Sequence, residues 1–427
     1  MGVSSCMTCQ RHLVKTCPTI EDFHQLCTCR RGQRSLQNML TCFEIFLPLI
    51  RGAPPALFLV EELAYDFCKR QWEQNVVYTE VRHCPHLLMR EDDKTLSGSF
   101  DMDTNDVDDN DAGINSEYQK RKEQKHRSRL ESARKVLQAI TRGLQRGCSD
   151  YNIVVNQILC CINWRPDWAW DILELAQEFR RGTPCGVVGI DIAAGEEHFD
   201  PKTFPDLYQA HYDVMQKAQA LDIPIAIHAG ETPNGLEHVR KAVKKGPGGY
   251  GAKRIGHGYR MEDSVALMQQ LARDKIHVEI CPTSSVETGG WIFDESMMVD
   301  DSAINSSESE QPLLSAAATK KKRKPWKDHP SLKFLEHGIP ISINSDDPAV
   351  FHTSLSWQYR IALTKMGLTR EQIMQSNLDA LNGSFAAQED IAKIRCILIT
   401  FADKVASRAN IDTLPFERFT DRVRHPS

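Results

Sequence analysis

Four short polar segments in this sequence each follow an apolar run and contain side chains that could perform chemistry. They are HAGE (residues 228–231), GHG (256–258), CPTSS (281–285) and SDDP (345–348). In a (β/α)₈ barrel the functional groups lie at the carboxyl ends of parallel strands, so titratable residues directly after an apolar run are the expected pattern. The order of these segments therefore predicts an α/β barrel that presents all four on one face.

The residue types in these segments indicate a metal-dependent hydrolytic site. His228 and Asp346 offer an imidazole nitrogen and a carboxylate oxygen, two ligands that suit zinc. Glu231 follows His228 by three residues and is a candidate general acid or base. His257 lies between two glycines and can transfer a proton near neutral pH. Asp347 directly follows Asp346 and can orient a water molecule on the metal.

Each of these residues also has a plainer interpretation. A single histidine is more often a solvated or structural group than a catalytic one, because short motif matches are only hypotheses. Two aspartates before a proline commonly form a turn or a helix cap. The functional interpretation is favoured because all of these residues occur together, at the ends of successive predicted strands.

Six sequence blocks carry a resemblance to a known family. These blocks are EVRHCPHLL (80–88), VVGIDIA (187–193), HAGE, RIGHGY (254–259), EICPTSS followed by TGG (279–290) and SINSDDP (342–348). In order, type and approximate spacing they resemble the adenosine deaminase family, from about residue 35 to about residue 390. Within that superfamily they look more like the adenosine branch than the AMP-specific branch. The resemblance implies a TIM (β/α)₈ barrel of the metal-dependent hydrolase type.

The resemblance also implies a reaction and a role for each site residue. The reaction is zinc-dependent hydrolytic deamination of adenosine and deoxyadenosine to inosine, with release of ammonia, in purine salvage. One Zn²⁺ per chain is implied, with His228 and Asp346 among its ligands. Glu231 matches the carboxyl that donates a proton to the purine ring, and His257 matches the imidazole that helps deprotonate the zinc-bound water. Asp347 matches the carboxylate that holds this hydroxide and the substrate.

The expected partner is a small purine nucleoside. Ala194 and Gly195 match the loop whose backbone amide contacts the purine, and the sequence leaves open which of the two is equivalent. The net charge of −5 argues against nucleic acid as a general partner. Protein partners cannot be read from the sequence.

The sequence departs from the family pattern near its beginning. The family's first strand carries His-x-His, which supplies two further zinc ligands, and this sequence contains no His-x-His. We therefore expect a barrel with an incomplete first strand, and His12 and His24 are weakly supported substitutes for the missing ligands. The alternative function is that of a truncated or catalytically impaired paralogue or isoform, which binds purine nucleosides or a protein partner without turnover.

The chain divides into a short atypical segment and one large domain. Residues 1–34 form a cysteine-containing N-terminal segment, and residues 35–427 form the barrel. Two polar stretches, about 91–118 and about 294–324, are predicted to be disordered insertions because they have few apolar residues. The second insertion ends in the basic run from Lys320 to Lys324, which is either solvated loop or a nuclear localisation signal.

Between the motifs, apolar periodicity predicts alternating helices and strands. The predicted helices cover residues 56–74, 121–146, 204–220, 371–381 and 388–405, and the predicted strands include 76–81 and 153–160. The sequence contains no apolar stretch of 18 residues and does not open on an apolar signal segment, so we expect a cytoplasmic protein with reduced thiols. Nuclear import through the basic run is the alternative location.

Overall fold

The computed structural model describes residues 19–29, 34–52, 56–90, 112–180, 184–198, 202–233, 235–291 and 325–406. His12, the basic run from Lys320 to Lys324 and most of the two predicted insertions lie outside these residues. The predictions of disordered insertions and of nuclear import therefore stay predictions. None of the helices in the described part combines the length and the apolar character needed to cross a membrane.

Seven parallel strands form the centre of the described structure. Their bounds are β1 Tyr78–His83, β2 Val154–Ile162, β3 Val187–Ala193, β4 Ala226–Ala229, β5 Arg254–His257, β6 His277–Ile280 and β7 Ile341–Ile343. Each strand pairs with the next along the chain within β1 to β3 and within β4 to β7. A parallel bridge between Ile190 and Ile225 joins the two groups. The result is one continuous parallel array in chain order, which is the order of a (β/α)₈ barrel.

Helices connect the strands and cover the outside of the array. Their bounds are α1 Ile20–Cys27, α2 Leu36–Gly52, α3 Ala56–Glu73, α4 Ala112–Tyr151, α5 Ala169–Glu178, α6 Pro205–Ala220, α7 Gly235–Val243, α8 Val265–Asp274, α9 Pro282–Glu287, α10 Pro330–Glu336, α11 Leu355–Ile361, α12 Arg370–Gly383 and α13 Gln388–Ala406. Strands β5 and β6 are buried at every position and β3 at all but its last. Such burial fits strands covered on both faces, so their sequences are nearly unbroken apolar runs.

The structure confirms most predicted elements and shifts one strand. The helix predicted over residues 56–74 is α3, and the helix predicted over 121–146 is longer and forms α4. The strand predicted to start at residue 76 begins instead at Tyr78. The reason is local, because Val76 donates its amide hydrogen to the Gln71 carbonyl and Asn75 has a left-handed backbone with φ of 59°. The chain is therefore still turning out of α3 where the apolar pattern already suggests a strand.

The array has two ends among the described residues. β1 pairs only with β2 and β7 pairs only with β6 in this part of the chain. An eight-stranded barrel would place one more strand between them. The parallel array confirms the predicted α/β barrel class, and the incomplete first strand stays a prediction. Polar contacts inside the array tie β1 to later segments, because Glu80 pairs with Arg254 and accepts the backbone amide of Phe385.

Candidate active site

Three potential metal ligands meet at the carboxyl end of the strand array. His228 lies on β4, His257 is the last residue of β5, and Asp346 follows β7. One ligand atom from each residue lies within 4.8 Å of the other two. Carboxyl ends of parallel strands share one rim, so three residues that are far apart in sequence reach a common point. The structure thus joins both predicted zinc ligands and adds His257, for which the sequence indicated a different role.

Three of the non-glycine residues with a left-handed backbone lie at this rim. His257, Asp346 and Ala194 have φ angles of 69°, 55° and 60°, in the left-handed region that residues with a Cβ rarely adopt. Such a conformation costs about 1 to 2 kcal/mol per residue and persists only where the surrounding structure imposes it. All three are residues that the sequence placed in the site. Three candidate site residues therefore have strained backbones, although left-handed residues also occur elsewhere, for example at Asn75 and Asp222.

An aspartate behind His228 fixes the orientation of its ring. Asp191 on β3 is fully buried, and its Oδ2 atom lies 2.8 Å from Nδ1 of His228. This contact leaves Nε2 of the ring available to a ligand. Burial alone would lower the pKa of His228, but the carboxylate of Asp191 outweighs it and raises the pKa to about 9. Sequence reasoning assigned no role to Asp191, although an acidic residue inside the otherwise apolar block VVGIDIA was a usable signal.

Glu231 presents a buried carboxyl next to this group. Its side chain is 6% exposed, and Oε2 lies 3.7 Å from Nε2 of His257. Oε1 makes no hydrogen bond with any residue that the structure describes. Burial raises the pKa of Glu231, and the nearby charges of Asp346 and Glu196 act in the same direction. A raised pKa lets this carboxyl hold its proton to a higher pH than a free glutamic acid does, which suits a general acid.

Asp347 and the Ala194–Gly195 pair complete the rim. Asp347 is half-buried, and removal from water together with the charge of Asp346 raises its pKa well above the usual value. The Ala194–Gly195 pair follows β3 directly, and Gly195 has a φ of 72°. A Cβ on Gly195 would lie 2.8 Å from the ring of Trp164. Both residues of the pair are therefore left-handed, and only a glycine fits at the second.

The first helices pack beside the Asp347 loop. Cys29 donates its amide hydrogen to the carbonyl of Val350 at 2.8 Å, and Phe351 donates to the carbonyl of Asp347 at 3.0 Å. His24, considered from the sequence as a substitute ligand, lies beside the ring of His352 with 4.7 Å between ring centroids. It does not belong to the three-residue ligand group found among the described residues. The N-terminal segment therefore covers the site's edge.

The donor set at the rim fits zinc. Two imidazole nitrogens and one carboxylate oxygen are the ligand types that zinc prefers, and catalytic zinc sites use three protein ligands and keep one position open. Buried polar atoms without a hydrogen-bond partner among the described residues gather here, including Oε1 of Glu231, Nδ1 of His257 and Oδ1 of Asp191. Buried polar groups are normally satisfied, so their presence fits a centre built for an ion and water. A metal held here would contact His228 and Asp346, and His257 lies within reach of that ion or of a water bound to it.

Comparisons with known proteins agree with this description. The profile of the adenosine deaminase family matches residues 10–301 and 305–400. Adenosine deaminase from Mus musculus is 28% identical over 356 residues, which cover 83% of this chain and 80% of that enzyme. Adenosine deaminase from Bos taurus is 26% identical over 83% of this chain and 78% of its own.

Solved structures show the same fold. The complex of Arabidopsis ADAL with IMP superposes with a TM-score of 0.61 at 20% identity, covering 94% of this chain and 93% of that one. An amidohydrolase from Burkholderia ambifaria with bound Zn superposes with a TM-score of 0.58 at 17% identity, covering 86% and 80%. These likenesses show that the chain has the α/β barrel fold of those structures. The chain belongs to the adenosine deaminase family, and its activity class is hydrolytic deamination.

Proposed function

We propose that this protein deaminates adenosine and deoxyadenosine hydrolytically, with one Zn²⁺ per chain, to give inosine or deoxyinosine, respectively, and ammonia in purine salvage. The observation that carries the proposal is the grouping of His228, His257 and Asp346 within 4.8 Å of one another, beside the buried carboxyl of Glu231. The adenosine deaminases of cattle and mouse, similar over most of this chain, support adenosine as the substrate.

We assign separate roles to the potential metal ligands and to Glu231. His228 and Asp346 are the ligands proposed from the sequence, His257 lies within reach of the same ion, and Asp191 holds the ring of His228. When bound, zinc would supply a Lewis acid that makes water nucleophilic near neutral pH. Glu231 donates its proton to the purine ring nitrogen, which makes the neighbouring amino-bearing carbon easier to attack.

The remaining residues bind and orient. The imidazole of His257 takes up a proton from the attacking water, and the carboxyl of Asp347 orients that water and hydrogen-bonds a ring nitrogen of the substrate. The left-handed Ala194–Gly195 pair offers a backbone amide to the purine, at a place where a side chain on Gly195 would collide with Trp164. A nucleoside is uncharged, so its recognition depends on hydrogen bonds and apolar contacts and does not need a strongly charged binding site.

Binding without turnover is the second candidate function. The specific observation behind it is that the described residues provide three potential ligands in the group, while the sequence lacks His-x-His. A site with fewer ligands holds its ion less firmly, because each ligand contributes to the affinity. In that case purine nucleosides would bind but would not react.

One experiment separates these functions. The purified chain is analysed for zinc, and loss of adenosine is followed by ultraviolet absorbance, with AMP and N6-methyl-AMP as competing substrates because a similar fold occurs in an Arabidopsis N6-methyl-AMP deaminase. One zinc per chain with adenosine turnover supports the proposal. Zinc well below one per chain, with nucleoside binding but no ammonia, supports the second function. Faster turnover of a monophosphate contradicts the proposed substrate.

The matched variant for this experiment is His228→Ala. We expect it to lose both zinc and activity, because it removes one of three potential ligands and leaves Asp191 without its partner. His337→Ala is the control, since His337 lies at the end of α10 and its ring bonds to the Lys333 carbonyl of the same helix. If His228→Ala keeps full zinc content, the proposed ligand set is wrong.

A further inference from the structure

Glu196 and His238 lie next to the site but have no part in the chemistry proposed above. Glu196 starts the short 3₁₀ turn Glu196–His198 after β3, and His238 lies on α7. Both side chains are buried, with exposures of 7% and 4%. A buried carboxylate is costly unless hydrogen bonds and charge compensate it, so its contacts need an explanation.

The contacts of Glu196 converge on the turn that carries Glu231. Oε1 of Glu196 accepts the amide hydrogen of Gly230 at 2.5 Å, and Oε2 accepts that of Thr232 at 2.5 Å. These two amides belong to the residues on either side of Glu231. Nδ1 of His238 lies 2.7 Å from Oε1 of Glu196 and donates the third hydrogen bond. The carboxylate of Glu196 therefore accepts hydrogen bonds from the backbone on both sides of Glu231. It is positioned in turn by His238 on α7.

The side chain of Glu231 has no comparable support of its own. Oε1 makes no hydrogen bond with a described residue, and Oε2 is 3.7 Å from His257, beyond hydrogen-bond distance. Its place is therefore set by its backbone. The turn is also packed tightly from the other side, because a Cβ on Gly235 would lie 2.6 Å from the Cα of Gly230 and 2.8 Å from Oε1 of Glu196.

We propose that Glu196, held by His238, is the positioning residue for Glu231, acting through the backbone amides of Gly230 and Thr232. This inference rests on the proposed deaminase function for its kinetic consequence, but its structural content is independent of it. Hydrogen bonds from His238 and from the two amides offset the effect of burial and keep the pKa of Glu196 below its usual value. An ionised acceptor forms roughly twice as strong a bond as a neutral one.

The consequence is a constraint on where the proton is delivered. A displacement of about 1 Å in a catalytic group can lower the rate roughly 100-fold without changing substrate binding. Glu196→Gln keeps the size of the side chain but replaces one acceptor oxygen by an N–H group, which then faces a backbone N–H donor. We expect kcat to fall about 10- to 100-fold, with KM within about threefold of the parent and zinc content unchanged.

A matched pair of variants separates positioning from packing. His238→Asn keeps an N–H donor near the place of Nδ1, whereas His238→Leu fills the space and removes the donor. We expect the asparagine variant to retain most of kcat and the leucine variant to behave like Glu196→Gln. Glu197→Gln is the control, because Glu197 is the adjacent carboxylate, is 41% exposed and faces His198. It should leave kcat and KM unchanged.

Backbone amide exchange supplies a readout that does not depend on activity. In the parent protein the amides of Gly230 and Thr232 should exchange slowly, and in Glu196→Gln and His238→Leu they should exchange at least tenfold faster, while amides of β6 stay protected. If the parent protein does not convert adenosine, the proposed function fails and exchange alone decides about Glu196. Unchanged exchange overturns the inference. Faster exchange with a parental kcat also overturns it. The same holds if a variant loses zinc and its KM changes together with kcat, because the effect would then not be confined to positioning.

Discussion

Glu231 and Asp191 are two similarly buried carboxyl residues at this site for which we propose different roles. Asp191 is fully buried but has charged partners, His228 at 2.8 Å and Arg82 at 3.2 Å, so it serves as a fixed anion behind a ligand. Glu231 is nearly as buried, yet its nearest titratable partner, His257, is 3.7 Å away, and burial raises the pKa of Glu231. Carboxyl groups whose environments differ in this way suit different tasks, one electrostatic and one as a proton donor.

Glu231→Gln tests the assigned proton donor. An amide cannot transfer a proton to the purine ring, so we expect kcat to fall by about 100-fold or more, and zinc content to stay at the parental level because Glu231 is not in the ligand group. Steady-state kinetics and elemental analysis on the same preparation measure both quantities. Glu237→Gln, an exposed carboxylate on α7, is the control. Parental kcat in Glu231→Gln would contradict the role given to this residue.

At the scale of the elements, β6 places a neutral histidine inside the barrel. His277 is the first residue of β6, is 3% exposed, and shares a hydrogen bond of 2.8 Å with the hydroxyl of Ser342 on β7. Burial lowers its pKa to about 4, and although the charge of Glu279 opposes this, Arg254 and Arg82 act with it. The strand therefore folds with an uncharged imidazole, whereas the unfolded chain titrates near pH 6.5.

His277→Gln should make stability less dependent on pH. A group whose pKa is lowered by folding binds fewer protons in the native state, so its contribution to stability is present above pH 6.5 and is lost as the pH falls toward 4. We expect this residue to contribute a slope of about 1 kcal/mol per pH unit in that window. Urea unfolding between pH 7 and pH 4 measures it. His337→Gln should retain the parental slope, and an unchanged slope in His277→Gln would refute the assignment.

At the scale of the whole molecule, buried charges connect strands that are not neighbours. Arg254 on β5 pairs with Glu80 on β1 and, at 2.7 Å, with Glu279 on β6. Glu80 also accepts the backbone amide hydrogen of Phe385 at 2.7 Å. Phe385 lies just after α12. Arg82 on β1 reaches Glu279 at 2.5 Å. Among the described residues no strand pairing joins β7 to β1. The network instead ties β1 to β5 and β6.

Glu80→Gln tests that connection. The amide keeps an acceptor for Phe385 but removes the charge opposite Arg254, both side chains being about 5% exposed. Removing one partner of a buried ion pair leaves the other uncompensated, and we expect a loss of about 3 kcal/mol in the free energy of unfolding. Denaturant unfolding measures it. Glu61→Gln removes a partner of the more exposed Arg146 and should change stability little. Equal effects of both variants would show that the network does not brace the barrel.

The sequence allowed most of the fold to be predicted. Helices α3, α6, α12 and α13 fall within a few residues of their predicted bounds, because amphipathic periodicity depends only on which side of a helix faces the core. The start of β1 was missed because a left-handed turn at Asn75 does not alter the apolar pattern. The fold class is confirmed, since the order of apolar runs and motifs reflects the order of strands around the barrel.

By itself, the sequence determined the residue types of the site and the family to which they belong. The chemical types of the site residues can be read directly from the sequence, and their positions after apolar runs predict that they lie at one rim. These residues are His228, Glu231, His257, Asp346 and Asp347. Only the tertiary structure decided which of them meet. It joined His257 to the two predicted ligands, set Asp191 behind His228, and aimed Glu196 at the turn around Glu231. These contacts join residues between 29 and 118 positions apart, and distances across a closed array depend on how all strands pack, which no local pattern records.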